Sequence, residues 1–185
     1  MRATRLTCLL AFATIAPAIA SAQDRMFGPE VGVYLPTSSD LRLALGDQWW
    51  SVGVTTMREG ATVDRQKLGT NISFVSQSKN GNSVFLASYT FGALVPLGSG
   101  RARPNDSALR PFFAARAGVS YIDYAVTMGL NRFSGKKVGY NANVEAGFMM
   151  GDRLTISARY DVFSKYDGFT FDGLSFNLRY GLVQF

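Results

Sequence analysis

The chain has 185 residues, 17% of them charged, with a formal charge of +6 and no histidine. That length allows one domain and little more, and the missing imidazole excludes Ser-His-Asp and Cys-His nucleophilic sites, histidine acid–base work and most zinc ligation. The Lys and Arg residues form no long run or clustered stripe, so nucleic acid is not an expected partner.

At the N-terminus, Arg2 and Arg5 precede an apolar run from Leu6 to Ile15, then Pro17 and the small triplet Ala20-Ser21-Ala22. This pattern predicts an export signal cut after Ala22, the run being too short for an anchor helix of roughly 20 apolar residues. Residues 23–185 then form the mature domain, and Cys8, the sole cysteine, leaves with the signal. No disulfide would staple the mature chain, so burial and hydrogen bonding must hold it.

Eight stretches of alternating residues follow between turn signals, near 27–36, 47–57, 69–78, 83–97, 109–127, 136–150, 153–164 and 170–185. The fourth lies in an uncharged segment from Asn80 to Gly100, but Ser83, Ser88, Thr90, Gly92 and Pro96 interrupt it, which favours a strand over a transmembrane helix. In the fifth, Phe113, Ala115, Ala117, Val119 and Tyr121 oppose Phe112, Ala114, Arg116, Gly118 and Ser120. The sixth sets Val138, Tyr140, Ala142, Val144, Ala146, Phe148 and Met150 against Lys137, Gly139, Asn141, Asn143, Glu145 and Gly147. Gly151-Asp152 reads as a tight hairpin into the seventh, where Leu154, Ile156, Ala158, Tyr160 and Val162 face away from Thr155, Ser157, Arg159 and Asp161. The eighth alternates Leu174, Phe176, Leu178, Tyr180 and Leu182 with Ser175, Asn177, Arg179 and Gly181.

Alternation alone fits a soluble barrel and a membrane barrel equally, so the filling of each face must decide between them. The polar faces are rich in Gly, Ser, Asn and Thr with isolated charges, which suits a narrow lumen. The apolar faces of the last four strands carry no Lys or Arg, each of which would cost about 2 to 4 kcal/mol at a bilayer midplane. Aromatics gather toward strand ends, Trp49, Trp50, Tyr121, Tyr124, Phe163, Tyr166, Phe169 and Phe171 at one rim and Phe27, Phe112, Phe113, Phe148 and Phe185 at the other, and are expected to form two interfacial girdles. The reading is an all-β, antiparallel, up-and-down transmembrane barrel of eight strands in the bacterial outer membrane, with outer-membrane lipid as its solvent.

The last strand, from Leu174, closes on Phe185, with Val183 and Phe185 out of phase with Tyr180 and Leu182. A bulge near Gly181 is needed, or one of the two sets faces elsewhere. Such a strand, with Tyr180 and the terminal Phe185, resembles the signal read by the barrel-assembly machinery, which the resemblance implies as a partner in biogenesis. RPFFAARAGVSYIDY from Arg110 to Tyr124 resembles the fifth strand, and GDRLTISARYDVFS from Gly151 to Ser164 the seventh, of the small outer-membrane β-barrel superfamily that includes the membrane domain of outer membrane protein A and the opacity-type proteins. The resemblance implies fold and location more than activity. Barrels of this kind that act as deacylases, phospholipases or proteases rely on a histidine, which this chain does not have, so catalysis is not expected, and neither is a cofactor.

With the N-terminus in the periplasm, residues 37–46, 79–82, 128–135 and 165–169 are expected outside the cell, and the periplasmic connections 58–68 and 98–108 are unusually long. The lumen-facing charges Glu30, Arg116, Glu145, Arg159, Asp161 and Arg179 are expected to pair, since buried charges are costly alone. Glu145 with Arg159, and Glu30 with Arg179, are the expected contacts. Two functions stay open: a plugged structural or surface-interaction scaffold, and a narrow channel for small or apolar solutes filtered by these charges.

Overall fold

The computed structural model describes residues 25–63, 66–97, 109–150, 154–181 and 183–184; the expected signal segment, Gly151-Asp152, the connection 98–108 and Phe185 lie outside them. Nine strands and one helix follow in chain order: β1 (Arg25–Pro36), α1 (Ser39–Leu45), β2 (Trp49–Val63), β3 (Gln66–Lys79), β4 (Asn82–Pro96), β5 (Leu109–Met128), β6 (Asn131–Met150), β7 (Leu154–Phe163), β8 (Gly173–Tyr180) and β9 (Val183–Gln184). All pairings are antiparallel and run β2 to β8 in order, and β1 closes the cylinder by pairing with both β2 and β8. The result is an eight-stranded barrel whose last strand is made of two pieces, β8 and β9, and closure leaves no sheet edge over the height at which all eight strands pair.

Those two pieces are offset by a bulge. Glu30 lies opposite Arg179, but Phe27 lies opposite Val183 where an unbroken ladder would put Leu182. One extra residue therefore sits in the last strand between Tyr180 and Val183, the phase change that the out-of-step positions Tyr180 and Val183 require.

Side-chain parity separates wall from lumen. Outward, Phe113, Val119, Val138, Tyr140, Val144, Phe148, Ile156, Phe176, Leu178 and Tyr180 are all exposed apolar groups, a display that soluble monomers rarely carry. On β6 this uncharged outward run extends from Val138 to Met150, about 40 Å of strand, or roughly 30 Å of height at a barrel's usual tilt, enough to cover an apolar band about 25 Å tall.

Two expectations change. The segment 58–68 is mostly not a loop, because β2 and β3 continue past the register shift between Met57 and Thr62 and pair again at Thr62 with Lys67. Half of the expected aromatic girdle is inside the barrel: Trp49, Tyr124, Phe163, Phe169, Phe171 and, at the far end, Phe112 are buried, while Trp50 and Phe113 stay outside. Parity explains this, since counting by twos from Arg116 carries the lumen face through Ser120 and Ile122 to Tyr124 and Val126.

The turns at the helix-bearing end follow local chemistry. Asn80 and Gly81 both have positive φ between Lys79 and Asn82, as do Asp167 and Gly168 between Tyr166 and Phe169. Both are two-residue turns of the primed type that Asn-Gly and Asp-Gly favour.

Candidate functional site

The lumen has three layers. At the helix-bearing end, Tyr34, Trp49, Val75, Val84, Leu86, Ile122, Tyr124, Val126, Phe163, Phe169 and Phe171 pack into one apolar cluster with Leu41 and Leu45 of α1. At the opposite end a smaller cluster joins Leu94, Phe112 and Ala114 to Met149. Between them lies a polar layer holding all six charged residues singled out above.

The short helix α1 is a stopper built by its caps. Ser38 accepts from the Leu41 N–H at its start, and Gly46, with φ of 92°, ends it by donating to the Arg42 carbonyl. Its terminal carbonyls, which no helix can satisfy internally, are taken up by the barrel wall: Asn82 donates to Ala44 O at 3.2 Å, Gln77 to Leu45 O at 3.0 Å, and the Trp49 indole N–H to Gly46 O at 2.9 Å. Leu41 and Leu45, one turn apart, point into the barrel and are fully buried. A second strap, residues 164–172, closes beside it. Phe169 and Phe171 pack against Tyr124, the Tyr124 hydroxyl bonds Asp167, and the Tyr34 hydroxyl donates to the Phe171 carbonyl. The Tyr34 ring lies over Gly173, where any Cβ would overlap it.

In the polar layer the charges alternate along one chain of contacts. Arg116 Nη1 meets Glu145 Oε2 at 2.6 Å, and Arg179 Nη2 meets Glu145 Oε1 at 3.0 Å. The same Arg179 nitrogen lies 2.7 Å from Glu30 Oε2, Arg159 Nη1 lies 2.8 Å from Glu30 Oε1, and Arg159 Nε reaches Asp161 Oδ2 at 3.0 Å. Three cations and three anions thus follow one another across β5, β6, β8, β1 and β7, and none of the six residues is more than 6% exposed.

Neutral side chains supply the remaining partners. Ser157 donates to Glu145 at 2.6 Å, Thr55 to Glu30 at 3.4 Å, and Asn71 joins Thr55 to Arg159. Asn143 accepts from Arg116 and donates to Thr90. These supports were not singled out from the sequence, although each shares its strand's lumen parity. Among the described residues, six buried atoms, Ser51 Oγ, Asn141 Oδ1, Arg159 Nη2, Asp161 Oδ1, Asn177 Oδ1 and Arg179 Nη1, have no protein partner.

Of the two expected ion pairs, Glu30 with Arg179 is present. Glu145 and Arg159 are directly opposite on the ladder but do not bond each other. Side chains in so narrow a barrel reach across the lumen as easily as sideways, and Glu145 is already satisfied by Arg116 and Arg179, which leaves Arg159 to Glu30 and Asp161. Tyr180, the other residue singled out, projects outward from the end of β8 and is 45% exposed. A hollow of about 550 Å³ opens on the outward face, among Val31, Trp50, Phe148, Ile156, Phe176 and Leu178, and not into the lumen.

No protein-family model and no curated protein matches the sequence. Solved structures share its fold: the outer membrane enzyme PagL (TM-score 0.62, 12% identity, covering 84% of this chain and 99% of that one) and Neisserial surface protein A (0.56, 12%, 86% and 96%). The N-terminal β-barrel domain of Pseudomonas aeruginosa OprF is similar too (0.54, 10%, 86% and 98%). Identities this low carry the architecture and nothing about activity. On topology, strand number and these likenesses, the chain has the fold of the small eight-stranded outer-membrane β-barrels.

Proposed function

We propose that this protein is exported by its first 22 residues, assembled into the bacterial outer membrane through a C-terminal signal containing Tyr180 and Phe185, and serves there as a plugged scaffold for the envelope and for surface contacts. The observation that carries this reading is closure of the lumen at successive levels: α1 and the aromatic cluster above, the six-charge chain in the middle, and Phe112 with Leu94 below. A hydrated ion has no continuous polar path through such a filling. The outward apolar band supports a lipid environment, and the helix-bearing end is the cell exterior when the N-terminus is periplasmic.

Among the proteins sharing the fold, PagL is an enzyme, so the scaffold itself is compatible with catalysis. The absence of histidine and of any cysteine beyond Cys8 argues against a histidine- or thiol-based reaction here. The channel reading draws on the six buried polar atoms without protein partners, which are suited to holding water, but that layer ends against apolar side chains on both sides.

The test is single-channel recording of refolded protein in planar bilayers, with folding verified by a heat-dependent gel shift. Wild type is expected to be silent, and Leu41→Asp with Leu45→Asp, which expels α1 from the mouth, is expected to stay silent as well, because the charge layer and the Phe112 cluster still close the lumen. Reproducible openings in the folded wild type would overturn the plugged reading.

A further inference from the structure

The barrel wall has two heights at the helix-bearing end. β5 and β6 pair without a register break up to Met128 opposite Asn131, whereas β7 leaves β6 at Phe163, opposite Asn141. The upper part of β6, Asn131 to Tyr140, therefore stands with β5 on one side and, among the described residues, no strand on the other. Its lowest part is covered by the strap: Ser164 N–H donates to the Tyr140 carbonyl, Ser164 Oγ accepts from the Tyr140 N–H, and the Tyr166 hydroxyl donates to the Val138 carbonyl.

Those contacts identify which backbone groups face the open side. Tyr140 and Val138 present theirs toward β7, so by period two Lys136, Ser134 and Arg132 do the same, and among the described residues no backbone partner meets them. An uncovered row of N–H and C=O groups is a template for one more strand.

We infer that the upper edge of β6, from Arg132 to Lys136, takes an extended acidic segment of another protein as an added antiparallel or parallel strand. Charge selects that occupant. Arg132, Lys136 and Lys137 are exposed on the edge strand, and Lys165 is exposed on the strap beside it. Of the nearby anions, Asp167 bonds Tyr124, and Asp123, opposite Lys136 on β5, offsets only that one charge, so Arg132, Lys137 and Lys165 keep the edge cationic. A second copy of this chain would set Arg132, Lys136 and Lys137 against their own kind, which disfavours self-pairing. Leu130, fully exposed at the hairpin tip, supplies an apolar contact at the end of the edge.

This inference rests on the scaffold reading only in placing the edge outside the cell. Its test needs no membrane potential, so a barrel that conducts and still takes the peptide would overturn the scaffold reading alone. The probe is a synthetic peptide alternating Glu and Val, beside the same peptide with alternate amides N-methylated, added to the full barrel in detergent micelles. Amide exchange at Arg132, Ser134 and Lys136 is expected to slow about tenfold with the first peptide and not with the second. Ser134→Pro deletes one open-side N–H while leaving the β5 ladder intact, and should abolish protection of the two neighbouring amides. Arg132→Glu with Lys136→Glu, two cations on one face of the strand, is the independent variant and should weaken binding about tenfold or more. Absence of protection at saturating peptide, equal binding of the methylated peptide, or edge-paired dimers in sedimentation would each overturn the inference.

Discussion

Replacing Glu145 by alanine isolates the energetics of the lumen charge chain. In the native barrel its two oxygens serve Arg116 at 2.6 Å, Arg179 at 3.0 Å and Ser157 at 2.6 Å. Arg179 keeps Glu30 when Glu145 is lost, but Arg116 is left with only Asn143 at 3.5 Å while 6% exposed. An uncompensated buried guanidinium costs about 3 to 5 kcal/mol, so the urea midpoint of the refolded barrel, followed by tryptophan fluorescence, should fall by more than about 1 M. Removing the stranded cation as well, in Glu145→Ala with Arg116→Met, leaves Arg179, Glu30, Arg159 and Asp161 as two cations and two anions still joined. The double variant should therefore recover at least about 2 kcal/mol relative to Glu145→Ala. A single variant within about 1 kcal/mol of wild type, or a double variant that is simply the sum of its parts, would refute the claim that these charges are mutually dependent.

Asp161→Asn, at the end of the chain where Arg159 retains Glu30, should cost about 1 to 2 kcal/mol less than Glu145→Ala in the same denaturation assay. Val144→Arg, on the lipid-facing side of β6, should destabilise the bilayer-embedded barrel by about 2 to 4 kcal/mol yet have little effect on the lumen contacts, as read by unfolding in vesicles. Trp50 is 73% exposed and Trp49 1%, so brominated lipids or a polar quencher should act on Trp50 alone. Trp50→Phe should then abolish most quenching and Trp49→Phe should not, and the reverse would place the wrong indole inside.

Strand number, parity and closure were legible because a barrel wall imposes period two on residues only one step apart. Glu30, Glu145 and Arg159 stand in the lumen by local geometry alone, each with an apolar neighbour on either side facing out. The same parity pointed to Ile122, Tyr124 and Val126 as lumen residues, but their apolar character reads as lipid-facing until the mouth is known to be plugged. The helix α1 carries its signals in Ser38, Leu41, Leu45 and Gly46, yet seven residues are too few for periodicity, and its stability comes from Gln77, Asn82 and Trp49 on the surrounding wall.

The sequence by itself determined the wall: how many strands there are, which parity of the last four strands faces outward over most of its height, and that six charges share a narrow interior. Only the tertiary structure decided which charge bonds which, because Arg159 and Arg179 each pass over a neighbouring strand, Arg159 from β7 to Glu30 on β1 and Arg179 from β8 to Glu145 on β6. It alone also decided that residues 37–46 and 164–172 fold back into the mouth, and that β6 outgrows β7 to leave an open edge. Period two is a property of one strand, whereas plugging, pairing and unequal strand height arise only when all eight strands are brought into register.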